Sequence, residues 1–224
     1  MNQLPPRVKI CCIADQREAE LAIALGASAL GLVSEMPSGP GVIEESMIAL
    51  VADAVPPGIA TFLLTSKQDV AEIVAQQKRC RAGVIQLVDR LDPDHYQELK
   101  LALPGISIVQ VIHVTGPESI DEACAAAVFV HGILLDSGNP NLTIKELGGT
   151  GRTHNWAISR KIVETVGRPV FLAGGLNPDN IVQAIQEVRP FGIDLCSGVR
   201  SNGRLDEEKL RAFMKAVRST GETF

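Results

Sequence analysis

Short apolar runs alternate with longer amphipathic stretches along the whole chain. The short runs have the aliphatic character of strands that are buried on both faces, and we predict eight strands: Val8–Cys12, Ala29–Val33, Ile59–Leu64, Gly83–Val88, Ser107–Val114, Phe129–Leu135, Pro169–Ala173 and Gly192–Leu195. Each is followed by a stretch with helical spacing of apolar residues, and we predict eight helices: Asp15–Leu25, Ile43–Ala54, Lys67–Gln77, Asp92–Leu101, Pro117–Ala126, Trp156–Val166, Pro178–Val188 and Asp206–Thr220.

This alternation leaves two architectures, because each helix is long enough to return the chain for parallel pairing of the strands. One is an open, doubly wound sheet and the other is a closed barrel. The units are similar in length, about 25 to 30 residues, which favours closure. The cluster Pro37–Gly41 and the loop Ser137–Asn155 both follow strands, so neither is a linker. We therefore predict an α/β fold in which residues 1–224 form a single (β/α)8 TIM-barrel domain.

The composition is that of a folded protein without a basic surface. Hydrophobic residues make up 46% of the chain and charged residues 21%, which excludes a disordered chain. The net charge of −5 provides no electrostatic footprint for nucleic acid. The longest apolar stretch, Leu21–Val33, is shorter than the roughly 20 residues that cross a bilayer. We therefore expect neither nucleic acid nor a membrane as a partner.

The cysteines point to a reducing compartment. Their number is odd and no CxxC pair is present, which indicates neither a disulfide framework nor a zinc ribbon: Cys11, Cys12, Cys80, Cys124 and Cys196. The first residues, MNQLPPRVKICC, lack the pattern of a secretory signal. We expect a cytoplasmic protein. A monomer and a homodimer are both compatible with the sequence.

Candidate catalytic groups follow from the position of active sites in such barrels, at the carboxyl ends of the strands. Cys11 and Cys12 end the first predicted strand, and Asp136 follows the sixth. Because side chains alternate along a strand, only one of the two thiols should point into the barrel mouth. A thiol and a partly desolvated carboxyl there can serve as base and acid. The alternatives are that both thiols are inert core residues and that Asp136 is a solvated strand cap.

Three small-residue clusters predict a phosphate site. They are Gly148–Gly151 in the long loop, Gly174–Pro178 after the seventh strand and Cys196–Val199 after the eighth. Backbone amides at these positions of a barrel commonly bind phosphate, which predicts a phosphorylated small-molecule substrate. His113 and His154 remain candidates for the site, but no spacing resembles a metal site and no hydride-cofactor motif is present.

Five segments together resemble the phosphoribosylanthranilate isomerase family of tryptophan biosynthesis, in order over about residues 7 to 217: Lys9–Cys11, Leu134–Asp136, Gly148–Trp156, Leu172–Ile181 and Gly192–Val199. The resemblance implies a (β/α)8 barrel. It also implies an Amadori rearrangement of N-(5-phosphoribosyl)anthranilate to 1-(2-carboxyphenylamino)-1-deoxyribulose 5-phosphate, without metal or cofactor.

The resemblance also implies roles for individual residues. Asp136 matches the general acid that opens the ribose ring, and Cys11 matches the base that removes the C2 proton. Asp194 matches an aspartate near the anthranilate ring. The matching phosphate-binding residues are Gly149, Thr150, Gly151, Gly174, Gly175, Ser197 and Gly198.

The sequence departs from the family pattern at five positions. Cys12 replaces a glycine, Gly41 an arginine that faces the substrate carboxylate, and Val88 a histidine. Cys196 replaces a serine and Arg200 an acidic residue. We expect that Arg200 binds the carboxylate in place of the missing arginine, or that the substrate differs. The alternatives are therefore an isomerase for another phosphorylated sugar or amine, and a non-catalytic barrel that binds a phosphorylated metabolite.

Overall fold

The structure, a computed structural model, describes residues 5–138 and 153–221. Eight strands form the barrel: β1 (Arg7–Ile10), β2 (Ala29–Val33), β3 (Ala60–Thr65), β4 (Val84–Leu87), β5 (Ser107–His113), β6 (Gly132–Asp136), β7 (Val170–Leu172) and β8 (Gly192–Leu195). A helix follows each: α1 (Gln16–Leu25), α2 (Glu45–Ala54), α3 (Val70–Cys80), α4 (Pro93–Ala102), α5 (Ser119–Ala127), α6 (Trp156–Thr165), α7 (Ile181–Val188) and α8 (Glu207–Ser219).

The eight strands are parallel and pair in chain order, and β8 closes the barrel against β1. That closing register runs from Arg7 opposite Gly192 to Ile10 opposite Leu195. The predicted (β/α)8 fold is therefore confirmed. A 3₁₀ turn (Ser197–Val199) and a short hairpin of β9 (Arg200–Ser201) and β10 (Arg204–Leu205) separate β8 from α8.

Alternation along the strands divides the buried residues into two layers. One face of each strand packs against the helices in the larger cluster, which contains Ile10, Leu32 and Ile133. The opposite face fills the barrel interior, where Phe62 and Phe171 meet edge to face. The interior layer includes Cys11 and Cys12 at its carboxyl end, so the barrel interior is a packed core and not a pore.

Capping side chains determine where several of the helices begin. They explain why a helix start predicted from the apolar pattern differs from the observed one. The carboxylate of Asp69 accepts a hydrogen bond from the Glu72 amide, so α3 begins at Val70, three residues after the predicted start. Asp15 caps α1 in the same way through the Glu18 amide. Among the helices of the two described ranges, none combines the length and apolar character needed to cross a bilayer.

Candidate active site

A cleft opens at the carboxyl end of the barrel. The segments that follow β1, β2, β7 and β8 line it, together with Asp136 at the end of β6. Six of the residues predicted to act in the site line it together: Cys11, Asp136, Gly174, Gly175, Asp194 and Ser197. Gly198 is the next residue in the chain after Ser197. Gly149, Thr150 and Gly151 lie outside the described residues.

Both thiols of the first strand end line this cleft, although alternation predicts only one. Strand β1 ends at Ile10, and the amide of Cys11 still donates to the Leu195 carbonyl at 2.9 Å. Cys12 then adopts a left-handed backbone with φ of +63°, which breaks the alternation. The Cys12 thiol lies 3.6 Å from the Pro40 carbonyl. The prediction of a single inward thiol is wrong because Cys12 has left the strand.

A buried ion pair lies below Cys11. The Nζ of Lys9 is fully buried, 2.8 Å from Oδ2 of Asp194. Burial alone would lower the pKa of Lys9, but the charge of Asp194 and the neighbouring Cys11 raise it above its ordinary value. The Oδ1 atom of Asp194 has no partner within the described residues, and Asp194 lines the cleft. Lys9 therefore supplies a fixed positive charge beside a candidate base.

Lys9 received no role from the sequence, although a signal for one was present. It is the only charged residue between Val8 and Cys12, and it stands two residues before Cys11. That spacing puts both side chains on the same face of a strand, here the interior of the barrel. A charged residue on the inner face of an apolar strand needs a buried partner, which Asp194 provides.

Asp136 closes the opposite side of the cleft, at the end of β6. Its Oδ1 accepts a hydrogen bond from the Ser137 amide at 2.7 Å, which orients the carboxyl group. His154 lies nearby, with Nε2 2.7 Å from Oγ of Ser159. Burial lowers the pKa of His154 to about 4, although Asp136 opposes that shift. His154 is thus an uncharged neighbour of the candidate acid, while His113 contacts the Val88 carbonyl instead.

The glycine corner, formed by Gly174, Gly175 and Gly198 after β7 and β8, depends on residues without side chains. Gly174 and Gly175 have φ of +84° and +62°, a region that favours glycine. Gly198 lies so close to Leu176 that a Cβ atom on it would overlap the Leu176 carbonyl oxygen. Only a residue without a side chain allows the turn carrying Ser197 to approach the β7 loop this closely.

Arg200 does not lie where we expected it. Its guanidinium pairs with Glu18 at 3.0 Å, and both side chains are only 8% exposed. It also donates to the backbone carbonyls of Cys11, Cys12 and Gly203. Burial alone would raise the pKa of Glu18, but the hydrogen bonds from Arg200 and from the Leu205 amide lower it. The expected substrate contact of Arg200 is therefore corrected: within the described residues it lies behind the cleft wall and holds the loop of Cys11.

Gly41, which replaces the family arginine, lies against Cys12. It has φ of +81°, and a Cβ atom there would overlap Cβ of Cys12 and lie 3.0 Å from its sulfur. Cys12 therefore occupies the space into which a side chain at position 41 would project. Residues 5–138 and 153–221 contain no group of three or more His, Cys, Asp or Glu that can hold a metal ion.

Comparison with known proteins identifies the family. The family model described as N-(5'phosphoribosyl)anthranilate (PRA) isomerase matches residues 8–216. The N-(5'-phosphoribosyl)anthranilate isomerase of Methanocella arvoryzae is 33% identical over 215 residues, covering 96% of this chain and 99% of that protein.

Solved structures agree with that assignment. The phosphoribosyl anthranilate isomerase of Thermus thermophilus superposes with a TM-score of 0.79 at 29% identity, covering 95% of this chain and 98% of its own. That of Thermotoga maritima gives 0.82 at 26% identity, covering 96% and 99%. With the same fold, and with matches along nearly the whole length, this chain belongs to the N-(5'-phosphoribosyl)anthranilate isomerase family.

Proposed function

We propose that this protein catalyses the Amadori rearrangement of N-(5'-phosphoribosyl)anthranilate in tryptophan biosynthesis, with Asp136 as general acid and Cys11 as general base. The observation that carries the assignment is that both side chains line one cleft, together with the glycine corner after β7 and β8. This cleft combines an acid, a base and candidate phosphate-binding residues. That combination suits a substrate whose two reacting atoms lie near a phosphorylated end.

The two groups divide the proton transfers between them. Asp136 protonates the ribose ring oxygen, and the bond from that oxygen to C1 breaks to give an iminium ion. Cys11, as thiolate, then removes the C2 proton, and the electrons of that bond neutralise the iminium to give the enol-amine. The Nζ of Lys9, held by Asp194, places a fixed positive charge close to Cys11.

The remaining residues bind the substrate. The amides of Gly174, Gly175, Ser197 and Gly198 bind the phosphate, and the family resemblance adds Gly149, Thr150 and Gly151. Asp194, which lines the cleft, lies beside the aromatic amine. No metal or cofactor takes part in these steps. We also propose that residues 1–224 form one domain and that the protein works in the cytoplasm, where its five free cysteines stay reduced.

One observation favours a second candidate function. Gly41 and Val88 remove an arginine and a histidine from the cleft mouth, and Arg200 is occupied by Glu18. A charge-assisted contact to a carboxylate contributes about 1.5–3 kcal/mol. An isomerase for a phosphorylated sugar or amine without that carboxylate would keep the acid, the base and the phosphate corner.

The test is turnover of N-(5'-phosphoribosyl)anthranilate by the purified protein and by Cys11→Ala and Asp136→Ala. Removal of a general acid or base lowers the rate about 10²–10⁴-fold. We therefore expect the turnover of either variant to fall by about 10²-fold or more. Cys124→Ala and Asp121→Ala, on helix α5, are the matched controls. Activity in either cleft variant comparable with the wild type would refute the roles. No turnover of this substrate by the wild type, with intact phosphate binding, would favour the second candidate.

A further inference from the structure

A pair of thiols in the cleft wall has no part in the reaction proposed above. The Sγ atoms of Cys12 and Cys196 lie 2.6 Å apart, although the residues are separated by 184 positions in the chain. The pairing of β1 with β8 brings them together, because each follows shortly after the register pair of Ile10 and Leu195. From a separation of 2.6 Å, the two sulfur atoms need to approach by only about 0.5 Å to reach the S–S bond length of a disulfide.

The two thiols differ in their electrostatic surroundings. Contact with Cys12 lowers the pKa of Cys196, and the charge of Arg200 acts in the same direction against burial and Asp194. Contacts with Cys11 and Cys196, together with burial, raise the pKa of Cys12 above its ordinary value. Of the two thiols, Cys196 therefore ionises more readily and Cys12 keeps its proton more readily.

The other cysteines outside this wall lack that arrangement. Cys80 is buried at the end of α3, and burial raises the pKa of its thiol to about 11. Cys124 lies on α5, partly exposed and away from the cleft. Within the described residues, three cysteines line the cleft, and Cys11 is the candidate base, which leaves the close pair of Cys12 and Cys196.

We propose that Cys12 and Cys196 form an oxidation site that reacts with small hydroperoxides entering the cleft. The Cys196 thiolate attacks the terminal oxygen of the hydroperoxide, the O–O bond breaks, and the leaving hydroxide or alkoxide takes a proton to become water or an alcohol. Cys12 then attacks the sulfenic sulfur of Cys196, the S–O bond breaks, and the hydroxide leaves as water with the Cys12 proton. Two thiols are oxidised to one disulfide, and one hydroperoxide is reduced.

The disulfide would change the positions of neighbouring groups in the cleft. It joins the segment after β1 to the segment after β8, directly beside Cys11 and Asp194. Displacement of a catalytic group by about 1 Å can cost 10²-fold in rate. We therefore expect oxidation to lower turnover about tenfold or more. A dithiol reductant restores it by exchange with the disulfide.

The experiment treats the full-length protein with hydrogen peroxide and maps the disulfide by mass spectrometry of unreduced peptides. We expect a peptide pair that links the Cys11–Cys12 segment to Cys196, with the loss of two hydrogen atoms. The link should form in Cys11→Ser and in the matched control Cys124→Ser. It should be absent from Cys12→Ser and from Cys196→Ser. Because the readout is a covalent link, it does not depend on the proposed reaction.

The outcomes separate clearly. A link that persists in Cys12→Ser would assign the partner to Cys11 and overturn the proposal, as would disulfides only between two chains or no link at all. Where the expected link forms, turnover should fall in the wild type and return with dithiothreitol. An unchanged rate in the fully linked protein would overturn the coupling between this oxidation and the reaction.

Discussion

Backbone groups form one end of the cleft, and side chains form the other. At the β7–β8 end, backbone groups form the wall, with Gly174 and Gly175 in left-handed conformations and Gly198 against a carbonyl. At the β1–β2 end, side chains form it, because the Cys12 thiol occupies the space beside Gly41. A backbone wall tolerates little substitution, whereas a side-chain wall can change with its neighbours.

This difference explains why the resemblance to the family is strong at one end and weak at the other. The glycine corner needs residues without a Cβ atom, so its motif is readable in the sequence. The β1–β2 end instead depends on Arg200, which reaches the Cys11 and Cys12 carbonyls from the far end of the chain. We expect the strongest effects of mutation where this long-range support is removed.

The largest expected effect comes from Arg200→Ala. It leaves Glu18 as an unpaired carboxylate that is 8% exposed and removes donors from two loop carbonyls. Breaking one partner of a buried ion pair costs about 3–5 kcal/mol. We expect a loss of that order in the free energy of unfolding, measured by urea denaturation. Arg204→Ala, in the same hairpin but exposed, is the control.

The same variant decides between the two roles of Arg200. A structural role predicts lower stability and a lower kcat, because the loop of Cys11 loses its anchor. A substrate contact predicts unchanged stability and a KM raised about tenfold, the equivalent of 1.4 kcal/mol. The second result would contradict the position that the structure assigns to this guanidinium.

The next effect concerns His154, beside Asp136. Its folded pKa of about 4 lies below the ordinary 6.5, so the unfolded chain binds the proton more readily between these values. Stability is therefore complete above pH 6.5 and falls as the pH drops towards 4, by up to about 3 kcal/mol. His154→Phe should flatten this dependence in urea denaturation at a series of pH values. His95→Gln, on α4, should keep the wild-type slope; an equal slope in His154→Phe would reject the assignment.

The sequence indicates the features of this fold that depend on neighbouring residues, but not those that depend on distant ones. The barrel followed from the alternation of strand and helix patterns, which is local information within each unit. The start of α3 was predicted three residues too early, because the Asp69 cap makes the helix begin only at Val70. The Glu18–Arg200 pair was invisible, since its partners are 182 positions apart. The inward thiol of Cys12 depends on a left-handed backbone that the residue type disfavours.

A smaller effect is expected at the glycine corner. A methyl group in Gly198→Ala would overlap the Leu176 carbonyl, so the turn that carries Ser197 must move away from β7. We expect weaker binding of inorganic phosphate and a KM raised about tenfold, which corresponds to 1.4 kcal/mol. Gly167→Ala is the matched control, because its Cβ atom would meet open space. Equal phosphate affinity in the two variants would place the phosphate elsewhere.

The smallest effect tests whether Cys12 and Gly41 act as a pair. Gly41→Arg alone should lower activity, because its Cβ atom would overlap Cys12 and push the arginine out of the cleft. Cys12→Gly removes the Cβ atom that a Cβ atom at position 41 would overlap and the Sγ atom that it would meet at 3.0 Å. It leaves the Cα atom of residue 12 at 2.9 Å, and it suits the left-handed backbone at position 12. In the double variant the guanidinium gains room to approach the substrate carboxylate.

A double-mutant cycle on KM isolates that interaction, because the strain of an arginine at φ of +81° is present in both backgrounds and cancels. We expect Gly41→Arg to raise KM in the wild-type background and to lower it about tenfold in Cys12→Gly, since a bidentate contact to the carboxylate is worth at least 1.4 kcal/mol. An equal effect of Gly41→Arg in both backgrounds would show that Cys12 does not govern access to this end. A carboxylate-free phosphorylated substrate, which has nothing for the arginine to bind, should show no such gain.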